Sequence, residues 1–180
     1  QAHGLSADVN VAANGSCVAF YSLASDLVPD DTNAVGDVFV KNLHTGQMER
    51  VSVSTNGAQG NWHSYYPRIT GDGRYVVYFS ESTALVADDH NYEQDGFLRD
   101  RLLGITTRVT MAPNNHEARG FSRFMAISDN SRYIAFESIA PNVAPPDYNS
   151  QIDMFLHDRL GSFQSFCSGD INQASACPCS

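Results

Sequence analysis

The chain writes one block of 58 residues three times over, and a spacing kept that strictly limits it to folds made by stacking like units. Asp31, Asn33, Asp37 and Phe39 return as Asp89, Asn91, Asp95 and Phe97, then as Asp147, Asn149, Asp153 and Phe155, with no insertion between copies. The same offset carries Val18-Ala19-Phe20 onto Val76-Val77-Tyr78 and Ile134-Ala135-Phe136, and Ser6 onto Ser64 and Ser122. A unit of this size is a supersecondary element that cannot bury its apolar faces alone and must pack on its neighbours.

Within the second unit, Tyr65 to Thr70 is a short apolar-leaning run closed by the turn Gly71-Asp72-Gly73 and followed by Tyr75 to Phe79, which reads as a hairpin. After the acidic stretch, Gly96 to Asp100 and Thr107 to Met111 form a second pair around Leu103-Gly104. That gives four short strands per unit, A to D, rich in β-branched and aromatic residues and free of helical periodicity over any long window. The fold class is all-β. Four-stranded units in series predict β-propeller blades with strand A lining the central channel, and both faces of a blade covered by its neighbours. A β-helix fits less well, because its rungs are much shorter.

The repeats resemble the TolB-like propeller family, whose blades read as a serine and Asp-Gly-Arg turn, a Tyr-Val-Ala-Phe strand, a Leu-Val and Asp-x-Asn loop, then Asp-x-Phe-Val. Here the matching residues are Asp72-Gly73-Arg74-Tyr75-Val76, Leu85-Val86 with Asp89 and Asn91, and Asp37-Val38-Phe39-Val40. The resemblance covers 1–166, as blades 1–58, 59–116 and 117–166, and leaves 167–180 as a cysteine-bearing tail. It implies a fold and not a chemistry, since such blades serve as binding platforms and enzyme domains alike.

Three blades do not close a ring, because propellers typically have about four to eight. A two-fold homodimer would give six blades around a shared channel, the third blade of each chain packing on the first of the other. The rival is a cut from a longer propeller; the register starting at Gln1 and the last unit degenerating after Arg159 favour the dimer. Only 11 Lys and Arg against 20 Asp and Glu, net −9, argue against a nucleic-acid partner. No apolar run approaches the roughly 20 residues of a membrane span.

Cys17 lies in strand B of the first blade, where Tyr75 and Tyr133 stand in the others, and reads as a small buried thiol. The tail resembles a segment that follows such propellers in secreted bacterial proteins. That resemblance implies a bridge from Cys167 to Cys177 or Cys179, an oxidising compartment, and a periplasmic or secreted location. A bridge from a tail thiol to Cys17 of the partner chain is an alternative, and a zinc site lacks a fourth ligand.

Chemistry is expected in two places. The B–C loops carry Asp31, Asn33 and Asp37, then Asp89, Asn91 and Asp95, then Asp147, Asn149 and Asp153. Asp-x-Asn with an Asp four residues later can converge oxygens on Ca2+, backbone carbonyls and water completing about six to eight ligands. The competing reading is that these Asp residues cap turns by accepting backbone N–H bonds. The loops entering strand A, on the same face of the ring, differ between repeats. They bring His3 and Asp8, then Trp62, His63, Tyr65 and Tyr66, then Arg119, Arg123 and Phe124 to the channel mouth. His63 and His3 are candidate metal ligands or general bases, and Arg119 or Arg123 a candidate anion holder. Trp62, Tyr65, Arg123 and Asp8 are candidate ligand contacts. Loop side chains that merely meet water account for the same residues more simply. No Gly-x-Ser-x-Gly, His-Glu-x-x-His or phosphate-loop pattern occurs, and His116-Glu117 reads as linker. The expected function is an extracytoplasmic, calcium-stabilised propeller binding a small molecule, peptide or glycan. The alternative is a metal-dependent hydrolase of lactones, esters or phosphotriesters, water being activated by His63 or His3.

Overall fold

The computed structural model describes residues 3–143, 151–161 and 164–167, the last four by their backbone. Three four-stranded antiparallel sheets follow one another along the chain. The first is β1 (Ser6–Val11), β2 (Cys17–Ser22), β3 (Asp37–Asn42) and β4 (Met48–Arg50). The second is β5 (Ser64–Ile69), β6 (Tyr75–Ser80), β7 (Asp95–Asp100) and β8 (Ile105–Arg108). A two-stranded hairpin, β9 (Met111–Ala112) with β10 (His116–Glu117), leads into the third: β11 (Ser122–Ile127), β12 (Tyr133–Ser138), β13 (Asp153–Asp158) and β14 (Gln164–Cys167). Each sheet pairs in sequence order, as a propeller blade does. β14 runs one residue past the expected end of the blades, and the remaining tail, with Cys177 and Cys179, lies outside the described residues. None of the helices is long and apolar enough to cross a membrane among the described residues.

Stacking follows from which residues each strand turns outward. Ala19, Val38, Val40 and Val51 of the first blade pack with Val76, Tyr78 and Phe97 of the second. Val77, Phe79, Leu98 and Val109 meet Ile134, Phe136 and Phe155 of the third. An aromatic pair marks the face each blade turns to its predecessor: Phe20 with Phe39, Tyr78 with Phe97, and Phe136 with Phe155, centroids 6.0, 5.9 and 5.6 Å apart. In the blade with two neighbours β6 is buried almost throughout, whereas the matching strands β2 and β12 are only partly buried.

The innermost strands β1, β5 and β11 share a defect. Their pairing skips between Ala7 and Asn10, Tyr65 and Arg68, and Arg123 and Ala126. At each skip one residue is left-handed: Asp8 (φ 54°), Tyr66 (φ 54°) and Phe124 (φ 52°). This is a β-bulge repeated at the period of the chain. Serine pairs clamp strand A to strand B beside it, Ser6 to Ser22 at 2.9 Å, Ser64 to Ser80 at 2.9 Å and Ser122 to Ser138 at 3.1 Å.

At each end of the stack, apolar side chains among the described residues are left exposed. Val9 on β1 is 67% exposed, whereas Met125, at the same repeat position, is 5% exposed. Val11 is likewise half-exposed where Ile69 is buried. On the far side of the third blade, Met154 is exposed where Val38, at the same repeat position of the first blade, is buried, and Ile152 near it is exposed as well.

Candidate functional site

The recurring acids of the B–C loops converge on an arginine. Asp37 opens β3, and the β3–β4 register sets Phe39 opposite Arg50, so the guanidinium reaches back to the carboxylate. Arg50 Nη1 lies 3.4 Å from Asp37 Oδ2 and 3.0 Å from Asp31 Oδ1, and it donates to Gln59 Oε1 at 2.9 Å. Asn33 Nδ2 donates to Asp37 Oδ2 at 2.9 Å and to the Gly60 carbonyl at 3.1 Å, while Ser52 Oγ donates to Asp37 Oδ1 at 2.6 Å. The second blade repeats this. Arg108 Nη1 sits 3.2 Å from Asp95 Oδ2 and 3.4 Å from Asp89 Oδ1. Asn91 bonds Asp95 and the Ala118 carbonyl, and Thr110 takes the place of Ser52. One charge differs: Glu117 accepts from Arg108 at 3.1 Å where blade one has Gln59. His116-Glu117, expected to be linker, therefore forms β10 and supplies a third carboxylate.

Each latch ties a B–C loop to the segment entering the next blade. A guanidinium stands where the Asp-x-Asn pattern suggested calcium. Both oxygens of Asp37 and of Asp95 accept hydrogen bonds and Oδ2 of each faces a guanidinium, so a hard cation at these residues would compete with Arg50 or Arg108. Among the described residues no group of three or more His, Cys, Asp and Glu side chains is placed to hold a metal ion. Asp153 opens β13 and is buried, whereas Asp147 and Asn149 lie outside the described residues.

Three acids on one arginine leave the second latch over-charged. Burial, then the neighbouring Asp95, pushes Asp89 up to about 6 against the pull of Arg108. A carboxyl raised in the folded state adds stability that is complete below its unfolded value of about 3.9 and is lost as pH rises through about 6. Asp89→Asn is therefore expected to raise Tm at pH 7.5 and to leave it nearly unchanged at pH 4.5. A pH-independent difference between variant and wild type would show that Asp89 stays ionised on Arg108. The opposite trend comes from Asp158, held down to about 2 chiefly by the fork of Arg132.

At the mouth the candidate bases are each held separately. His3 Nδ1 lies 2.6 Å from Asp26 Oδ2 in the first blade. His63 Nδ1 accepts the Gly36 N–H at 2.8 Å, which places its ring proton on Nε2. Arg119 bonds Asn142 Oδ1 through its backbone N–H and leaves its side chain exposed. Asp8, Tyr65 and Arg123 sit within β1, β5 and β11, and not in the loops before them. Tyr65 Oη lies 2.9 Å from both Glu81 Oε1 and Gln94 Oε1, and burial followed by Glu81 raises its pKa. Arg123 Nε meets Glu137 at 3.0 Å while its guanidinium lies 5.1 Å over the Phe124 ring. Trp62 stays exposed. Cys17 is buried, a free thiol among the described residues, 3.7 Å from Arg101 Nη1.

No protein-family model and no curated protein matches the sequence. Among solved structures, TolB from Acinetobacter baumannii superposes with a TM-score of 0.53 at 14% identity, over 93% of this chain and 33% of that one. A putative TolB from Agrobacterium tumefaciens gives 0.57 at 16%, over 89% and 48%. The β-propeller domain of the trilobed protease from Pyrococcus furiosus gives 0.51 at 12%, over 86% and 39%. The fold is thus the TolB-like β-propeller, and the chain spans about a third to a half of the length of these structures.

Proposed function

We propose that this chain is half of a six-bladed, ligand-binding propeller that works outside the cytoplasm and closes by pairing with a second copy. The observation that carries it is Val9 and Val11, bare on the first blade where Met125 and Ile69 are buried on the others. The first blade thus turns outward the kind of face that blades two and three press on their predecessors. Its natural complement is the kind of face that blades one and two offer their successors, and the uncovered example is on blade three, beside Ile152 and Met154. Two copies satisfy both ends at once. The ring would bring the strand A bulges of both copies around one channel whose mouth is framed by the latched loops. His63, whose Nδ1 takes the Gly36 N–H, has no free nitrogen to accept a proton, and His3, although Asp26 would orient it as a base, is almost wholly exposed, so the mouth suits holding a ligand better than activating water. The extracytoplasmic location draws its support from the cysteine-bearing tail and the TolB-like fold.

Light scattering at micromolar concentration is expected to give the mass of two chains, with a Tm that rises with protein concentration. Val9→Asp with Val11→Asp is expected to give monomers. In a lone subunit both positions face water and the change would cost within about 0.5 kcal/mol. A wild-type monomer indifferent to the double substitution would overturn the pairing.

A further inference from the structure

Every strand A needs one left-handed residue at its bulge, and the least costly occupants are Gly, Asn and Asp. Blade one follows that rule with Asp8. Blades two and three instead place Tyr66 and Phe124 there, at φ 54° and 52°, with 52% and 69% of each residue exposed. A left-handed backbone costs a non-glycine residue about 1–2 kcal/mol, and exposed aromatic surface returns little of it. Their ring contacts are local: Tyr66 meets Tyr65 edge-on, 5.1 Å between centroids, and Phe124 has Arg123 laid on it. β5 and β11 are neighbours, so these rings stand at equivalent heights on adjacent inner strands.

Resting on the channel reading above, we infer that the channel binds an oligosaccharide, whose sugar rings stack on Tyr66 and Phe124 of the inner strands. Sugars offer apolar C–H faces to aromatic rings and vicinal hydroxyls to planar polar groups. Asp8, at the matching position of blade one, and Arg68, exposed two residues past Tyr66, supply an acceptor and a fork of donors. An extended peptide fits less well, because it would add to the free inner edge of strand A. The bulge breaks that edge, and Asn10 Oδ1 already takes the Ile69 N–H at 2.8 Å.

Trp62, the one tryptophan of the chain, stands exposed at the mouth and reports binding by its fluorescence. Titration with maltohexaose, xylohexaose and chitohexaose is expected to give saturable binding of at least one. Tyr66→Gly and Phe124→Gly are each expected to weaken it at least tenfold while Tm holds or rises, since glycine relieves the left-handed strain. Three results overturn the inference: no hexaose binds, binding survives both variants, or either variant lowers Tm by several degrees and so marks its ring as structural. A tyrosine-containing hexapeptide binding with the same dependence would also overturn it while leaving the channel reading intact. The mass measured on the same sample separates either failure from a failure to pair.

Discussion

Arg108→Ala is expected to lower the free energy of unfolding by about 3–5 kcal/mol, the range for removing one partner of a buried ion pair. The guanidinium lies within 3.4 Å of Asp89, Asp95 and Glu117, and its side chain and those of Asp89 and Asp95 are almost wholly buried. Without it two carboxylates are left in the protein interior with no countercharge, and the hydrogen bond from Arg108 Nη2 to the Asp88 carbonyl is lost as well. Arg50→Ala should cost less, because Gln59 leaves that latch one negative charge fewer. Arg108→Lys should recover part of the loss but not the two-directional grip that a planar fork supplies. Adding Asp89→Asn and Glu117→Gln to Arg108→Ala should restore more than either does alone. Chemical denaturation of the set checks the order. Equal losses for Arg50→Ala and Arg108→Ala would show that the charge count at residue 117 is irrelevant.

How much of this was legible in the sequence depended on whether a feature repeats. Strands A to D, the hairpin turns and the antiparallel order recur in register, so the period located them to within a residue or two. Strand D of the second blade was the exception: it begins at Ile105 and ends at Arg108, and Met111 belongs to a separate hairpin. The acids were found and their partner was not. Asp37 and Arg50 are distant in sequence and meet only because β3 and β4 fold back on each other. The signal was nonetheless present, since Arg50 and Arg108, and Ser52 and Thr110, are themselves one period apart. A basic residue that recurs with recurring acids points to an internal counterion before it points to a metal. The bulge was hidden for another reason: Tyr66 and Phe124 violate the left-handed preference that would have announced it, and only Asp8 obeys it.

Phe97→Ala is expected to cost about 3–5 kcal/mol, the range for emptying a large aromatic site in a core. Its ring is fully buried, packs 5.9 Å from Tyr78, and lies between the first and second blades among Val38, Val40 and Val51. Phe39 occupies the same repeat position one blade earlier and is equally buried, yet its partner Phe20 lies only part-buried on the bare end of the stack. Within a single subunit the two truncations should therefore differ, because the ring that packs on Phe39, Phe20, is itself only part-buried, whereas Phe97 lies in the cluster shared by two blades. Within the six-bladed ring both sites have a blade on either side, and the costs should converge. Measured as a function of protein concentration, the Phe39→Ala penalty is expected to grow from well below that of Phe97→Ala in dilute solution to near equality where the dimer forms. Two penalties that stay unequal at every concentration would mean that nothing ever covers the first blade, whereas a Phe97→Ala cost near 1 kcal/mol would mean that the blades are not packed as a core at all.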